Sequence, residues 1–312
     1  MKCVVTGVAG FVGSHLAEAL IDRGEEVVGI DCFLDYYPRL LKERNLSRLR
    51  KSDRFRLVEA DLARADLAPL VAGAEWIFHQ AAQAGVRASW GKDFSIYTES
   101  NVHATQRLLE AARDAGVRRL VYASSSSVYG DTDDLPMRET SLPRPVSPYG
   151  VTKLAAEHLC WLYWKNYGLE TVSLRYFTVY GPRQRPDMAF HRFLKSALLG
   201  DEIPLYDDGE QTRDFTYVAD AIAANLAAVE RGTGGGIYNI GGGSRVSINR
   251  VLETISDISG RAVRVRREGR QKGDVRHTAA DTSRARADLG FEPRVPLDDG
   301  LRRQWEWTRE VY

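Results

Sequence analysis

Residues Gly7-Val8-Ala9-Gly10-Phe11-Val12-Gly13 separate the apolar run Lys2–Thr6 from an amphipathic helical stretch over 12–23. Glycines at this spacing permit a tight turn, let main-chain amides approach a pyrophosphate and let the helix press close to the strand. The helix N-terminus adds positive partial charge. A second strand-like run, Glu26–Asp31, ends on a carboxylate able to accept both hydroxyls of a ribose. Strand, glycine turn, helix and acidic residue together predict a dinucleotide site with Gly7, Gly10, Phe11, Val12, Gly13 and Asp31 at one end. Asp31 repels a 2′-phosphate and Cys32-Phe33 supplies no cation to hold one, which favours NAD over NADP.

The same rhythm continues. Strand-like runs at 56–60, 76–80, 119–124 and 171–176 alternate with helical patterns at 101–115 and 149–167. Regular alternation predicts an α/β, doubly wound parallel sheet of Rossmann type, with helices on both faces. After Tyr176 the rhythm breaks into a loop rich in Gly, Pro, Arg and Asp. The expected division is a dinucleotide-binding domain over 1–180, to which 214–240 returns. A smaller, interleaved lobe is then built from 181–213 and 241–312. The runs Gly234-Gly235-Gly236 and Gly241-Gly242-Gly243 lack the spacing and acidic partner of the first turn and read as tight turns flanking a strand at 237–240.

Composition narrows the function classes. With 43 Lys plus Arg against 42 Asp plus Glu over 312 residues, no basic field favours nucleic acid or an anionic membrane. The basic stretch 261–270 reads as a solvated edge. No segment reaches the ~20 apolar residues needed to cross a bilayer. Cys3, Cys32 and Cys160 form neither a disulfide framework nor a zinc spacing, and the histidines have no paired ligand spacing, so no metal is expected. A reducing, cytoplasmic setting is the expectation.

The chemistry is carried by Tyr149-Gly150-Val151-Thr152-Lys153. Residues four apart share one helix face, so phenol and ammonium can enter one cleft. A nearby cation favours phenolate, and a phenolate can take the proton of a substrate alcohol while its carbon gives hydride to NAD. The four hydroxyls Ser124-Ser125-Ser126-Ser127 end a parallel strand, where such sheets bind ligands.

This set resembles the extended short-chain dehydrogenase/reductase family, in particular its nucleotide-sugar epimerases and dehydratases, over nearly the whole chain. Its landmarks here are the three glycines, Asp31, Asp61-Leu62, His79-Gln80-Ala81-Ala82, Asn101 opening a helix, Tyr149, Lys153, "SLRYFTVYGPRQRP", "QTRDFTYVAD" and "GDVRHTAAD". The resemblance implies a cofactor lining of Asp61, Leu62, Ala81, Ala82, Gln83, Asn101, Ser124 and Tyr176 besides the residues above. It implies Arg213 and Arg276 on a substrate diphosphate, a chemistry suited to the guanidinium fork. A homodimer through the helices at 101–115 and 149–167 is implied too, with at least half of Trp161, Leu162 and Trp164 expected in the core.

Within the family, the catalytic hydroxyl falls on Ser125. Dehydratases follow it with Asp-Glu, and uronate decarboxylases carry Glu just before Val-Tyr-Gly. Those positions here are Ser126 and Ser127, which have no carboxylate, so simple epimerisation at C4 is expected. "AAQAGVRASW", with Arg87, and "TVYGPRQRPDMAF", with Thr178 and Arg185, resemble the UDP-glucuronate 4-epimerases. The expected substrate is therefore a UDP-hexuronate. A UDP-glucose/UDP-galactose 4-epimerase, another nucleotide-sugar dehydratase or decarboxylase, and a non-catalytic NAD-binding sensor stay open.

Overall fold

A computed structural model describes all 312 residues. Strands β1 (Lys2–Thr6), β2 (Glu26–Asp31), β3 (Phe55–Glu59), β4 (Trp76–His79), β5 (Arg119–Ser125) and β6 (Glu170–Tyr176) join Gly236–Ile240 in one seven-stranded sheet. Every pairing in it is parallel. From β1 the chain winds outward through β2 to β3, then restarts at β4 beside β1 and winds the other way. That reversal opens a crevice past the carboxyl ends of β1 and β4, where Thr6 is in register with His79.

The apolar strands run buried on both faces, as a sheet covered by helices requires. The long helix Pro148–Tyr167 starts where its local chemistry tells it to: the Ser147 hydroxyl accepts from the Gly150 amide at 3.1 Å, proline stands at the first turn, and Gly168 ends it at φ +71°. Three two-stranded ribbons organise the second half. Val179–Tyr180 pairs with Thr216–Tyr217, Ile203–Tyr206 with Val265–Glu268, and Thr212–Asp214 with Arg245–Ser247. Val218–Arg231 is a helix, and the strand after it returns to the sheet beside β6. One continuous buried cluster joins Val5 of β1 to Phe190, Ile248 and Leu301, so both halves share a core.

Two expectations need correction. Asn101 does not open a helix: it lies in a π-helical turn, Thr98–His103, that runs into the α-helix Ala104–Asp114. Trp161 and Leu162 are each 44% exposed, and only Trp164 is packed, against Gly234 and Gly235. The helix spans almost six turns, and its buried stripe of Ala156, Cys160 and Tyr163 leaves positions 161 and 162 facing out.

Candidate active site

The glycine turn is a cradle that a side chain would fill. Gly7 holds φ +66°, and a Cβ on Gly13 would lie 2.2 Å from the Gly7 carbonyl oxygen. The helix start therefore sits directly on the turn. The Asp31 carboxylate accepts the amides of Ala9 at 3.0 Å and Phe33 at 2.8 Å, which aims it into the cleft. Burial pushes its pKa up, opposed by the Phe33 amide and by Lys42.

Lys42 is the residue that sequence reasoning missed here. Its ammonium donates to the Leu34 carbonyl at 2.5 Å and lies 4.7 Å from the centre of the Tyr37 ring, on the cleft wall beside Asp31. A cation is thus present at this end after all, eleven residues beyond Asp31 and brought back by the helix Arg39–Asn45. Burial lowers its pKa, while Asp31 raises it. The preference for NAD rests on the charge of Asp31 alone.

Under the cleft, the Thr6 hydroxyl lies 2.7 Å from His79 Nδ1 and accepts the Ala81 amide at 3.1 Å; Thr105 closes the chain on His79 Nε2 at 2.9 Å. Burial, aided by Lys153, drops the His79 pKa to about 3, so the ring is neutral and braces the strand ends. Asn101 accepts the Gln83 amide at 2.7 Å and donates to the Gln83 carbonyl and to Thr152, both at 3.0 Å. Its polar atoms clamp the loop behind the cleft rather than line it. Tyr176 does line it, yet its hydroxyl is shared with Gln80 at 3.3 Å and Asn225 at 2.6 Å, leaving the ring as wall.

One continuous cleft runs from the glycine turn and Asp31 to Tyr149 and Arg185. Gly7, Gly10, Phe11, Val12, Gly13, Asp31, Asp61, Leu62, Ala81, Ala82, Gln83, Ser124, Tyr149, Lys153, Tyr176 and Arg185 all line it. The cradle, the carboxylate and a wall that continues to Tyr149 fit a dinucleotide.

At that end the half-buried Tyr149 ring meets Tyr97 edge-on, with ring centres 6.3 Å apart. Burial pushes its pKa up, and the two influences opposing this are the Arg185 guanidinium and a hydrogen bond to Ser125. Lys153, expected to favour phenolate directly, instead lies 4.3 Å from the centre of the Tyr122 ring. Burial lowers its own pKa to about 7. Behind it, buried Glu157 accepts the Ser124 hydroxyl at 2.6 Å and the Arg175 fork at 3.0 and 2.6 Å. No sequence period marks this buried pair, which becomes visible only when the helix meets β6.

Arg185 reaches the same cleft, with Nε and Nη2 each 3.0 Å from the Asp187 carboxylate. Ser126 and Ser127 form a 3-10 turn over the start of the long helix, where a Cβ on Gly150 would lie 2.5 Å from the Ser127 carbonyl oxygen. Thr178 is half-buried two residues past β6. Arg213 and Arg276 meet in a second, small cleft with Tyr206, Arg270 and Asp274. Arg213 donates to the carbonyls of Thr212, Val275 and Arg276, and Arg276 pairs with Asp207 and Asp208. Arg87 belongs with this second cleft and not with Arg185: it stacks 3.9 Å from the centre of the Tyr206 ring and bonds Asp274 at 2.6 Å.

Residues 3–241 match the model of the NAD dependent epimerase/dehydratase family. The chain is 45% identical to a Bacillus subtilis (strain 168) protein named as an uncharacterized UDP-glucose epimerase, over 100% of this chain and 99% of that one. It is 37% identical to the UDP-glucuronate 4-epimerase of Thermodesulfobacterium geofontis (strain OPF15), over 98% and 96%. Its fold superposes with a TM-score of 0.97, at 43% identity and full coverage of both chains, on the crystal structure of a Bacillus cereus UDP-glucuronic acid 4-epimerase in complex with UDP-glucuronic acid and NAD. The glycine cradle, the Asp31 carboxylate, the tyrosine and lysine on one helix and these likenesses agree: the chain belongs to the NAD-dependent epimerase/dehydratase family.

Proposed function

We propose that the protein is an NAD-dependent epimerase that inverts C4 of a UDP-hexuronate, interconverting UDP-glucuronate and UDP-galacturonate through a transient 4-keto sugar. The observation that carries the substrate class is Arg185, a guanidinium opening on the cleft that holds Tyr149; the turn that follows the cleft residue Ser124 carries serines at 126 and 127 where a carboxylate would be needed for other chemistry.

Bound NAD supplies the acceptor and donor of the C4 hydride. The chain's own residues do the rest. Tyr149 takes the proton of the C4 hydroxyl as hydride leaves C4 and gives it back to the C4 oxygen once the turned 4-keto sugar receives hydride on its other face, with Ser125 sharing the hydrogen bond to that oxygen. Lys153 adds positive charge in the cleft. Asp31 and Lys42 hold the adenosine ribose end, with Asp61, Leu62 and Ala81 to Gln83 as walls. Arg213 and Arg276 hold the substrate diphosphate, Arg276 giving up Asp207 or Asp208 to do so, and Arg87 flanks the nucleotide. Arg185, Thr178, Ser126 and Ser127 hold the sugar carboxylate. The 4-keto hexuronate is a β-keto acid, and an ion pair that keeps negative charge on its carboxylate opposes loss of carbon dioxide.

Neutral-sugar epimerisation is the second reading, favoured by one contact: Asp187 already neutralises Arg185, so the site is charge-balanced without a sugar carboxylate. Product analysis with UDP-glucuronate and UDP-glucose decides. Turnover of UDP-glucose alone overturns the proposal, as does a stable 4-keto sugar or a UDP-pentose as main product. Arg185→Ala should weaken the uronate far more than the neutral sugar. Homodimerisation in a reducing, cytoplasmic setting completes the proposal, supported by exposed Trp161 and Leu162 on the long helix and by three free cysteines.

A further inference from the structure

Arg185 has two edges with which to grip a carboxylate. One, Nε with Nη2, is taken by Asp187 two residues later, with both bonds 3.0 Å. The other, Nη1 with the outer hydrogen of Nη2, has no partner in the protein. Asp187 is itself held from across the cleft: the Tyr36 hydroxyl, from the loop after β2, donates to its Oδ2 at 3.3 Å. Tyr36 enters only because residue 85 is glycine, at φ +108°, where a Cβ would lie 2.4 Å from that hydroxyl.

We propose that Asp187, braced by Tyr36, is a positioning residue that locks the Arg185 guanidinium side-on and so presents its end-on edge to the carboxylate of the substrate sugar, protecting the 4-keto intermediate from decarboxylation. The inference rests on the reading of Arg185 given under Proposed function. An unpaired arginine side chain samples many rotamers, whereas a fork held by two parallel bonds has one orientation. Arg185 and Tyr149 line the same cleft, and Asp187 holds the Arg185 edge turned away from it.

Loosening this lock changes which product leaves. When the carboxylate is not held, the C5–C6 bond of the 4-keto hexuronate breaks, its electron pair passes into the C4 carbonyl as an enolate, and carbon dioxide departs. The enolate takes a proton at C5. The hydride removed from C4 stays on the dinucleotide, so each such event releases a UDP-4-keto-pentose and leaves one reduced cofactor on the enzyme.

The test uses NAD-loaded enzyme and UDP-glucuronate, counting carbon dioxide, UDP-4-keto-pentose and reduced cofactor per epimerisation in Asp187→Asn, Tyr36→Phe and Arg185→Ala. Asp187→Asn should raise the decarboxylated fraction about tenfold or more, the scale expected when a reacting group shifts by less than an ångström. Tyr36→Phe should raise it less, with thermal melting unchanged. An unaltered fraction in folded Asp187→Asn overturns the inference; where that variant does not fold, an unaltered fraction in Tyr36→Phe overturns it. Arg185→Ala separates the two levels. If it injures both sugars equally and releases no extra carbon dioxide, the reading of Arg185 itself fails; if it acts on the uronate alone while Asp187→Asn changes nothing, only the positioning role fails.

Discussion

The ammonium of Lys153 lies 4.3 Å from the centre of the Tyr122 ring, on the strand behind the cleft, although Tyr149 stands one turn away on the same helix. Aromatic faces attract cations, and burial leaves this one with a pKa near 7. The lysine is therefore held against an aromatic face while sharing the cleft wall with Tyr149.

Burial of that charge has a measurable sign. The folded pKa of Lys153 is depressed from an unfolded value near 10.5 to about 7, so between those values the unfolded chain holds more protons and stability rises with pH. Lys153→Met should stabilise the dinucleotide-free fold most below about pH 7, by more than about 2 kcal/mol. The gain should shrink as pH approaches about 10. Urea unfolding across this range checks it, and a pH-independent difference would refute the depressed pKa.

Tyr149→Phe removes the phenolic hydroxyl proposed to exchange a proton with the C4 oxygen while leaving the ring edge-on to Tyr97. Turnover should fall about 10³-fold or more, with bound NAD per chain unchanged. Steady-state kinetics and cofactor release on denaturation provide both numbers. An active variant would strip the tyrosine of its proposed role.

Asp31 and Lys42 should act as a pair on cofactor retention. Asp31→Asn keeps the shape but loses charge-assisted bonds, worth about 1.5–3 kcal/mol each, so NAD should dissociate at least about tenfold faster and discrimination against NADP should narrow. Lys42→Met should also speed release. Dissociation followed by dinucleotide fluorescence tests both, and retention equal to the unaltered enzyme in both variants would contradict this placement.

Glu157 and Arg175 are 1% and 2% exposed, and Arg175 also lies 4.7 Å from the centre of the Tyr129 ring. Removing one member of a buried pair strands the other charge, at about 3–5 kcal/mol. Glu157→Gln should therefore lower stability by roughly that amount, while Glu157→Met combined with Arg175→Met should lose less than either single change. Chemical denaturation of the three variants is the measurement; additive losses would show that the two side chains act independently.

What could be read along the chain was whatever depends on neighbours in sequence. The glycine turn, the carboxylate ending β2, the alternation of strand and helix, and Tyr149 with Lys153 on one helix face are set by local backbone geometry and short periodicities. Folding decided what depends on contacts between distant segments. Lys42 returns to Asp31 across a loop, Tyr36 meets Asp187 across 151 residues, Arg87 goes to the second cleft with Asp274, and Lys153 turns to Tyr122. Each is an electrostatic choice among several partners, settled by burial and by which groups the packed sheet leaves within reach, and no pattern of residue types along the chain encodes that competition.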